Sequence, residues 1–325
     1  MAPARSAAPE TESEPADSGP GSEKPPSAIG TRSDDVTDAA GLGRARATAF
    51  VIPALLLVGA FLVFPALWTL YLGVTDYRLT GIAAANPQFV GVQNYVTAIG
   101  DEQFRNSLWL TILFVLGSAV IGQTFMGFGI AWTVRSVPRV VRTVIETLVL
   151  LAWILPSSVV AFLWIAYLGR GDGTLNTILQ TQGTDWLLAH PMLSIIVFNT
   201  WRGAAFSMLL FSAALNAVPP SQLETARLAG ASTLQQFRDV VFPHIRGHVL
   251  TNTLLISLWT FNDFSPYLLT AGGPNHASET LPVYIYNSAL YAGQLGYGSA
   301  ISLIMLVINL MIALFYLRLL KERRR

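Results

Sequence analysis

The 325-residue chain contains no cysteine. Disulfides, thiol nucleophiles and cysteine-ligated metals are therefore excluded. Charge is scarce as well: Asp, Glu, Lys and Arg together make up 12% of the residues, against ~25% in an ordinary soluble domain. Histidine occurs four times, as His190, His244, His248 and His276. Only His244 and His248 stand at i, i+4, and no acid completes an HExxH pattern around them, so both are read as rings at a membrane interface. Gly272-Gly273-Pro274 is not followed by the Lys and Ser/Thr of a phosphate loop and is read as a turn leaving the membrane. No nucleophile and base pair up within the apolar stretches, which removes the basis for an intramembrane enzyme. No internal repeat is visible.

Apolar residues are plentiful, at 52% of the chain. They collect in runs at 48–74, 108–134, 140–168, 191–218, 249–271 and 296–320. Each is close to or above the ~20 residues that cross a bilayer as a helix. A spanning helix satisfies its own backbone, so helices and not strands are expected, with Pro53, Pro65, Pro156 and Pro266 tolerated where neighbours re-satisfy freed carbonyls. The expectation is an all-α membrane protein with six transmembrane helices. Residues 1–43, rich in Ala, Pro, Ser, Gly and acids, bury too little apolar surface to offset chain entropy and read as a disordered cytoplasmic tail. They are not a signal peptide, because no apolar segment closely follows a basic start.

Basic residues set the orientation. With the N-terminus inside, Arg32, Arg44, Arg46, Arg135, Arg139, Arg142, Arg227, Arg238, Arg246, Arg318, Lys321, Arg323, Arg324 and Arg325 fall on the cytoplasmic side, fourteen in all, and only Arg78, Arg105 and Arg170 outside. Both termini are then cytoplasmic. The closing Lys-Glu-Arg-Arg-Arg reads as a stop at the anionic leaflet, not as a nucleic-acid contact.

The longest cytoplasmic loop, 219–247, is also the most patterned. Pro219 and Pro220 end the preceding helix. Ser221 with Glu224, and Ser232 with Gln235, have capping-box spacing, and Gly230 stands where a helix commonly stops. The loop thus reads as two short helices about a glycine hinge, too short to stand alone and in need of a partner surface. Glu224-Thr-Ala226-Arg-Leu-Ala-Gly230-Ala231, followed by Phe237 and Pro243, resembles the EAA signature of ABC-importer permeases, with Thr225, Ala229 and Gly247 departing from its usual form. In that family the loop is the coupling helix that inserts into a cleft of the ATPase. Small residues permit close approach and one acid offers a charge-assisted bond; alternatively Glu224 caps its own helix. Segments at 89–111, around Pro156, Trp164, Gly173, Leu175 and Asn176, at 199–220, and at 261–274 with the following Leu281-Pro-Val-Tyr-Ile-Tyr are similar to the sugar-permease branch, that of the maltose and glycerol-3-phosphate importers. The resemblance runs over 48–320.

The resemblance implies a type I importer permease fold over 44–325, without chemistry or cofactor of its own. ATP and Mg²⁺ belong on a dimer of separate ATPase subunits. A second, similar permease and an extracytoplasmic solute-binding protein are the other expected partners in the inner membrane; a scaffold or sensor without a transport path is the alternative. Polar residues inside the spans mark the candidate pathway: Asn199 and Arg202 one helical turn apart, Asn262 and Asp263 in the outer half of the fifth run, with Trp201 and Tyr267 as stacking faces for sugar rings. A direct Arg202–Asp263 ion pair between helices is the competing reading. Glu146, near a helix end, is read as structural.

Overall fold

The computed structural model describes residues 44–181 and 183–322, with side chains from Thr48 to Lys321. The expected tail 1–43 and Arg323–Arg325 lie outside the described residues. The chain divides into two units, Met1–Leu57 and Val58–Arg325. The described part of the first belongs to α1 (Arg44–Val58), whose residues 48–57 are apolar except Thr48 and all exposed, the pattern of a helix meant for lipid.

The second unit opens with a π-helical turn, Gly59–Val63, leading into α2 (Phe64–Gly73). Pro65 has no amide to donate and its ring crowds the preceding turn, and one widened turn is a way to accommodate it. A short α3 (Ile82–Ala85), α4 (Gln93–Gly100) and the start of α5 (Glu102–Phe114) follow. Asp101 caps α5 by accepting from the Gln103 amide at 2.8 Å. α5, a π-helical stretch Val115–Gln123 and α6 (Thr124–Val134) form one 33-residue helix. Its Gly117, Gly122 and Gly127 fall every five residues against Ile196, Thr200 and Ser207 of α11 (Pro191–Asn216). A β-carbon at Gly127 would lie 2.4 Å from Ser207 Cβ, so these glycines are what lets the two long helices touch.

The third apolar run does not form one helix. It breaks at Leu155-Pro156 into α7 (Arg139–Ile154) and α8 (Ser157–Leu168), bent by 102°. Leu155 takes the extended conformation that a following proline favours. After α9 (Thr174–Leu179), buried Asn176 ties the loop: its amide donates to the Gly169 and Thr184 carbonyls and its oxygen accepts from Trp186 Nε1 at 2.8 Å. α10 (Trp186–Ala189) leads into α11.

Beyond α11 come α12 (Pro220–Leu228) and α13 (Thr233–Gln236). α13 then runs on through a π-helical turn, Phe237–Val241, into α14 (Phe242–Phe261). The second loop helix is thus the foot of a long helix, with Pro243 just past the widened turn, as Pro65 is. The fifth run also breaks, at Asn262–Phe264, before α15 (Ser265–Thr270), so Asn262 and Asp263 occupy a helix break and not an outer half-span. α16 (Leu281–Tyr286), a π-helical turn Asn287–Tyr291 and α17 (Leu295–Glu322) complete the chain. Among the described residues four helices are long and apolar enough to cross a membrane: Thr48–Gly73, Glu102–Val134, Pro191–Asn216 and Leu295–Lys321; the bent α7–α8 pair makes a fifth if taken as one span. By length and composition these make four or five of the six expected spans, and α14 (Phe242–Phe261) is not among them.

Candidate functional site

Four of the six expected pathway residues converge. Asn199, Arg202, Asn262 and Asp263 line a cavity of about 470 Å³ together with Gln123, Trp153, Gly203, Trp259 and Thr260. α11 supplies Asn199, Arg202 and Gly203 from one face, since these lie within a single turn. The α14–α15 break supplies Asn262 and Asp263, α14 supplies Thr260, and the π-helical stretch before α6 supplies Gln123. One wall is aromatic: the Trp153 and Trp259 rings lie 6.1 Å apart at 33°, and Phe206 packs on Trp259 at 4.7 Å.

The competing Arg202–Asp263 ion pair does not form among the described residues. No carboxylate lies within 4.0 Å of the Arg202 guanidinium among the described residues. Arg202 Nη1 instead donates to Ser265 Oγ at 3.4 Å, and that hydroxyl donates to Asp263 Oδ1 at 2.7 Å. Asp263 Oδ1 also accepts from the Ser265 amide at 2.9 Å, which caps the first turn of α15. The carboxylate is thus aimed at the helix start, where it accepts from one first-turn amide, and a serine stands between the two charges. Arg202 Nε is buried without a partner among the described residues.

The two asparagines are structural as well as lining. Asn199 donates to Ser118 Oγ at 2.7 Å and to Thr260 Oγ1 at 3.2 Å, joining three helices. Asn262 and Asn309 of α17 exchange amide bonds at 3.1 and 3.0 Å. Asn309 went unnoticed in the sequence, although an amide inside an otherwise apolar run is itself a signal. Gln123 was also missed; it donates to the Asn199 carbonyl and sits against Gly203. Trp153 and Trp259 gave no signal, because an aromatic in an apolar run looks the same whether it faces lipid or a cavity.

Trp201 and Tyr267 lie elsewhere. Trp201 meets Trp164 edge-on at 5.9 Å. Tyr267 lines a second cavity with Gln103, His276, Glu279, Tyr284, Asn287 and Tyr291. Its centre is Glu279, 1% exposed, which accepts from Gln103 Nε2 and Asn287 Nδ2 at 2.5 Å each and faces His276 Nδ1 at 2.8 Å.

The patterned loop differs from expectation at its start. α12 begins at Pro220 with Pro219 before it, and Ser221 with Glu224 forms no capping box. A proline in the first turn needs no side-chain cap for its own missing amide. Glu224 is exposed and its carboxylate has no partner among the described residues. The end of α12 is closed by a Schellman pair, Ala231 N to Ala226 O and Gly230 N to Arg227 O, both 3.0 Å, with Gly230 at φ 79°. The second box is present: Ser232 N donates to Gln235 Oε1 at 2.8 Å and Gln235 N to Ser232 Oγ at 3.3 Å. Phe237 anchors the loop between Phe128 and Trp132 of α6, at 5.5 and 5.8 Å. Leu228 and Leu234 stand 90% and 75% exposed beside the hinge, while Pro243, in the first turn of α14, is exposed as well.

Glu146 accepts from Arg142 at 2.9 Å along α7, in keeping with a structural reading. His244 Nδ1 contacts the Val240 carbonyl, and no group of three His, Cys, Asp or Glu stands together among the described residues.

Residues 123–325 match the family described as binding-protein-dependent transport system inner membrane component. The chain is 31% identical to a probable ABC transporter permease of Pyrococcus horikoshii, over 82% of this chain and 93% of that one. It is 27% identical to the sulfoquinovosyl glycerol transport system permease of Agrobacterium fabrum, over 86% of this chain and 92% of the relative. Its fold matches a subunit of a bacterial ABC transporter that imports the acidic polysaccharide alginate, with TM-score 0.69 at 20% identity over 86% of this chain and 96% of that chain. A membrane chain with polar groups gathered at a helix break, a capped surface loop and this kinship belongs to the inner-membrane components of binding-protein-dependent transport systems, the permease subunits of ABC importers.

Proposed function

We propose that this permease forms half of the pathway for a sugar or sugar-like solute. The observation that carries the reading is the 470 Å³ cavity, where two tryptophan rings face Arg202, Asn262 and Asp263 across a break in the helix. Stacking faces beside convergent polar groups suit a ring bearing hydroxyls, and irregular backbone at membrane depth is tolerated where it lines a cavity. The relatives' printed substrates, sulfoquinovosyl glycerol and alginate, are of the same chemical kind.

The remaining parts of the machine are carried by other chains in this reading. A second, similar permease completes the pathway, an extracytoplasmic binding protein delivers the solute, and a dimer of ATPase subunits binds ATP and Mg²⁺. No cofactor is assigned to this chain, nor any nucleic-acid partner, and both termini are cytoplasmic. Glu224, Ala226, Gly230, Ala231, Phe237 and Pro243 form the ATPase-coupling loop: Glu224 and the exposed Leu228 and Leu234 are the contacting groups, and Phe237 transmits their position to α6. The test is reconstitution of the permease pair with its ATPase and binding protein in proteoliposomes. Sugar-stimulated ATP hydrolysis and uptake are expected; stable assembly without solute stimulation by any saccharide would favour a scaffold instead.

A further inference from the structure

We propose that the loop end of α6 binds an anionic phospholipid, its phosphate held by Arg135 and Arg227 and an acyl chain lying between α6 and α7.

The apolar span ends at Val134 and Arg135 follows at once. The Arg135 guanidinium lies 5.6 Å over the Trp132 ring. A cavity of about 370 Å³ opens here, lined by Trp132, Arg135, Ser136, Leu223, Arg227 and Gln236. Neither arginine has a carboxylate within 4.0 Å among the described residues. Among the described residues Arg227 donates to the Gln236 amide oxygen, at 3.5 Å. On α7, Glu146 is engaged by Arg142 at 2.9 Å. Burial, then the neighbouring Arg142 and Arg227 charges, push the Arg135 pKa below its ordinary value. An arginine nevertheless stays charged at neutral pH. Two cations thus share one cavity at a membrane boundary, with no carboxylate paired to either among the described residues. A phosphate, which guanidinium groups grip with paired charge-assisted bonds, is the anion most abundant at such a boundary.

A second observation separates a lipid from a free ion. On the adjoining side of the same helix end, Met126, Ile130, Val134, Val137 and Ile145 line an apolar cavity of about 410 Å³. Val134 lines the apolar cavity and Arg135, the next residue, the basic one, so both lie at one helix end. A free phosphate would fill only the basic part, whereas a lipid occupies both. Because Leu223 and Arg227 lie on α12, such a lipid would also pin the loop to α6 and make loop position depend on membrane composition.

The experiment is native mass spectrometry of the purified complex, titrated with phosphatidylglycerol or phosphatidylcholine, with inorganic phosphate as competitor. Retained phosphatidylglycerol is expected, with phosphatidylcholine far weaker. Arg135→Gln with Arg227→Gln should weaken phosphatidylglycerol roughly thirtyfold, given the usual worth of two basic residues near an anionic surface. Arg170→Gln, in the opposite loop, should leave it unchanged. Ile130→Trp, which fills the apolar cavity, should also weaken the lipid. Variants are compared only where they elute as the intact complex with unchanged melting. Equal retention of both lipids would overturn the proposal, as would full retention by the double variant. Displacement by millimolar phosphate with no effect of Ile130→Trp would overturn it in favour of a free-anion site. If the double variant keeps the lipid but loses the ATPase subunit, the basic cavity is instead a protein contact.

Discussion

Arg202 is an expensive residue to place in a span: insertion scales put its cost at the helix centre at ~3 kcal/mol. Nothing in its surroundings cancels that charge directly, because Ser265 stands between it and Asp263. Replacing Arg202 with Met should therefore leave the yield of detergent-stable complex near normal, while uptake falls at least about tenfold, the loss of one charge-assisted contact, and basal ATPase persists. A collapse of complex that Asp263→Asn rescues would show that the two charges depend on each other after all. Arg202, Asn199 and Asp263 were legible in the sequence because polar groups contrast with an apolar run. The tryptophan wall was not legible, since burial against a cavity leaves no mark on an apolar residue. At the far end of α5, Asp101 accepts from Tyr284 at 2.6 Å, from Tyr297 at 2.9 Å and from the Gln103 amide at 2.8 Å. Burial pushes its carboxyl up, but the Tyr284, Gln103, Tyr297 and Phe104 bonds outweigh this and hold it below its ordinary value. A carboxylate lowered on folding adds stability above its unfolded pKa of ~3.9, and that stability fades as pH falls through the folded value. Thermal melts followed by tryptophan fluorescence should be flat in this contribution from pH ~7 to ~5 and decline below ~4, and Asp101→Asn should lower the melting point at neutral pH and flatten the acid decline.

At the level of elements, the loop between α11 and α14 shows how local rules succeed and fail. The Ser232–Gln235 box forms because every atom it needs lies within one turn. The Ser221–Glu224 pair has the same spacing, yet Pro220 already starts α12 one residue earlier, which puts Ser221 inside the helix. Glu224 is thereby released from capping, and its exposed carboxylate is available to a partner. Glu224→Gln should then lose solute-stimulated ATPase activity nearly as fully as Glu224→Ala; full activity in the glutamine variant would remove charge from the docking contact. Gly230 requires its φ of 79° and not its space, since nothing lies within 4 Å of an added β-carbon. Gly230→Ala should cost about 1–2 kcal/mol at the hinge and reduce coupling, with membrane insertion unchanged. The broken runs follow the same logic. Pro156 was read as a tolerated kink and instead turns the chain by 102°. The Asn262–Phe264 break had a readable cue in Asp263 and Pro266, an acid that caps and a proline in the first turn of the next helix, but within an apolar run it passed for continuous helix.

Across the whole molecule, orientation follows from which loops share an end of the helices. Arg105 and Arg135 stand near the two ends of the helix Glu102–Val134, and their thirty-residue separation amounts to ~45 Å at ~1.5 Å per residue, more than the ~30 Å hydrocarbon core. They must therefore flank opposite leaflets. The Asp101 end gathers α16 and the start of α17, through Tyr284 and Tyr297. The Arg135 end gathers α12 and Phe237, through the Trp132 contacts. Of the cations on these elements, Arg135, Arg227 and Arg238 belong with the loop end and Arg105 with the other. We propose, from the bias toward basic residues inside, that the Arg135 end faces the cytoplasm. Since the chain has no native cysteine, single introduced cysteines report cleanly. Gly173 is a poor position, because a β-carbon there would meet the Gly169 carbonyl at 2.2 Å, whereas its neighbour Asp172 is exposed. Asp172→Cys should react in intact cells with a membrane-impermeant maleimide. Leu234→Cys, at a side chain 75% exposed in the coupling loop, should react only after the membrane is opened. Labelling of Leu234→Cys from outside would invert the topology, and with it place the loop beyond the reach of any cytoplasmic ATPase.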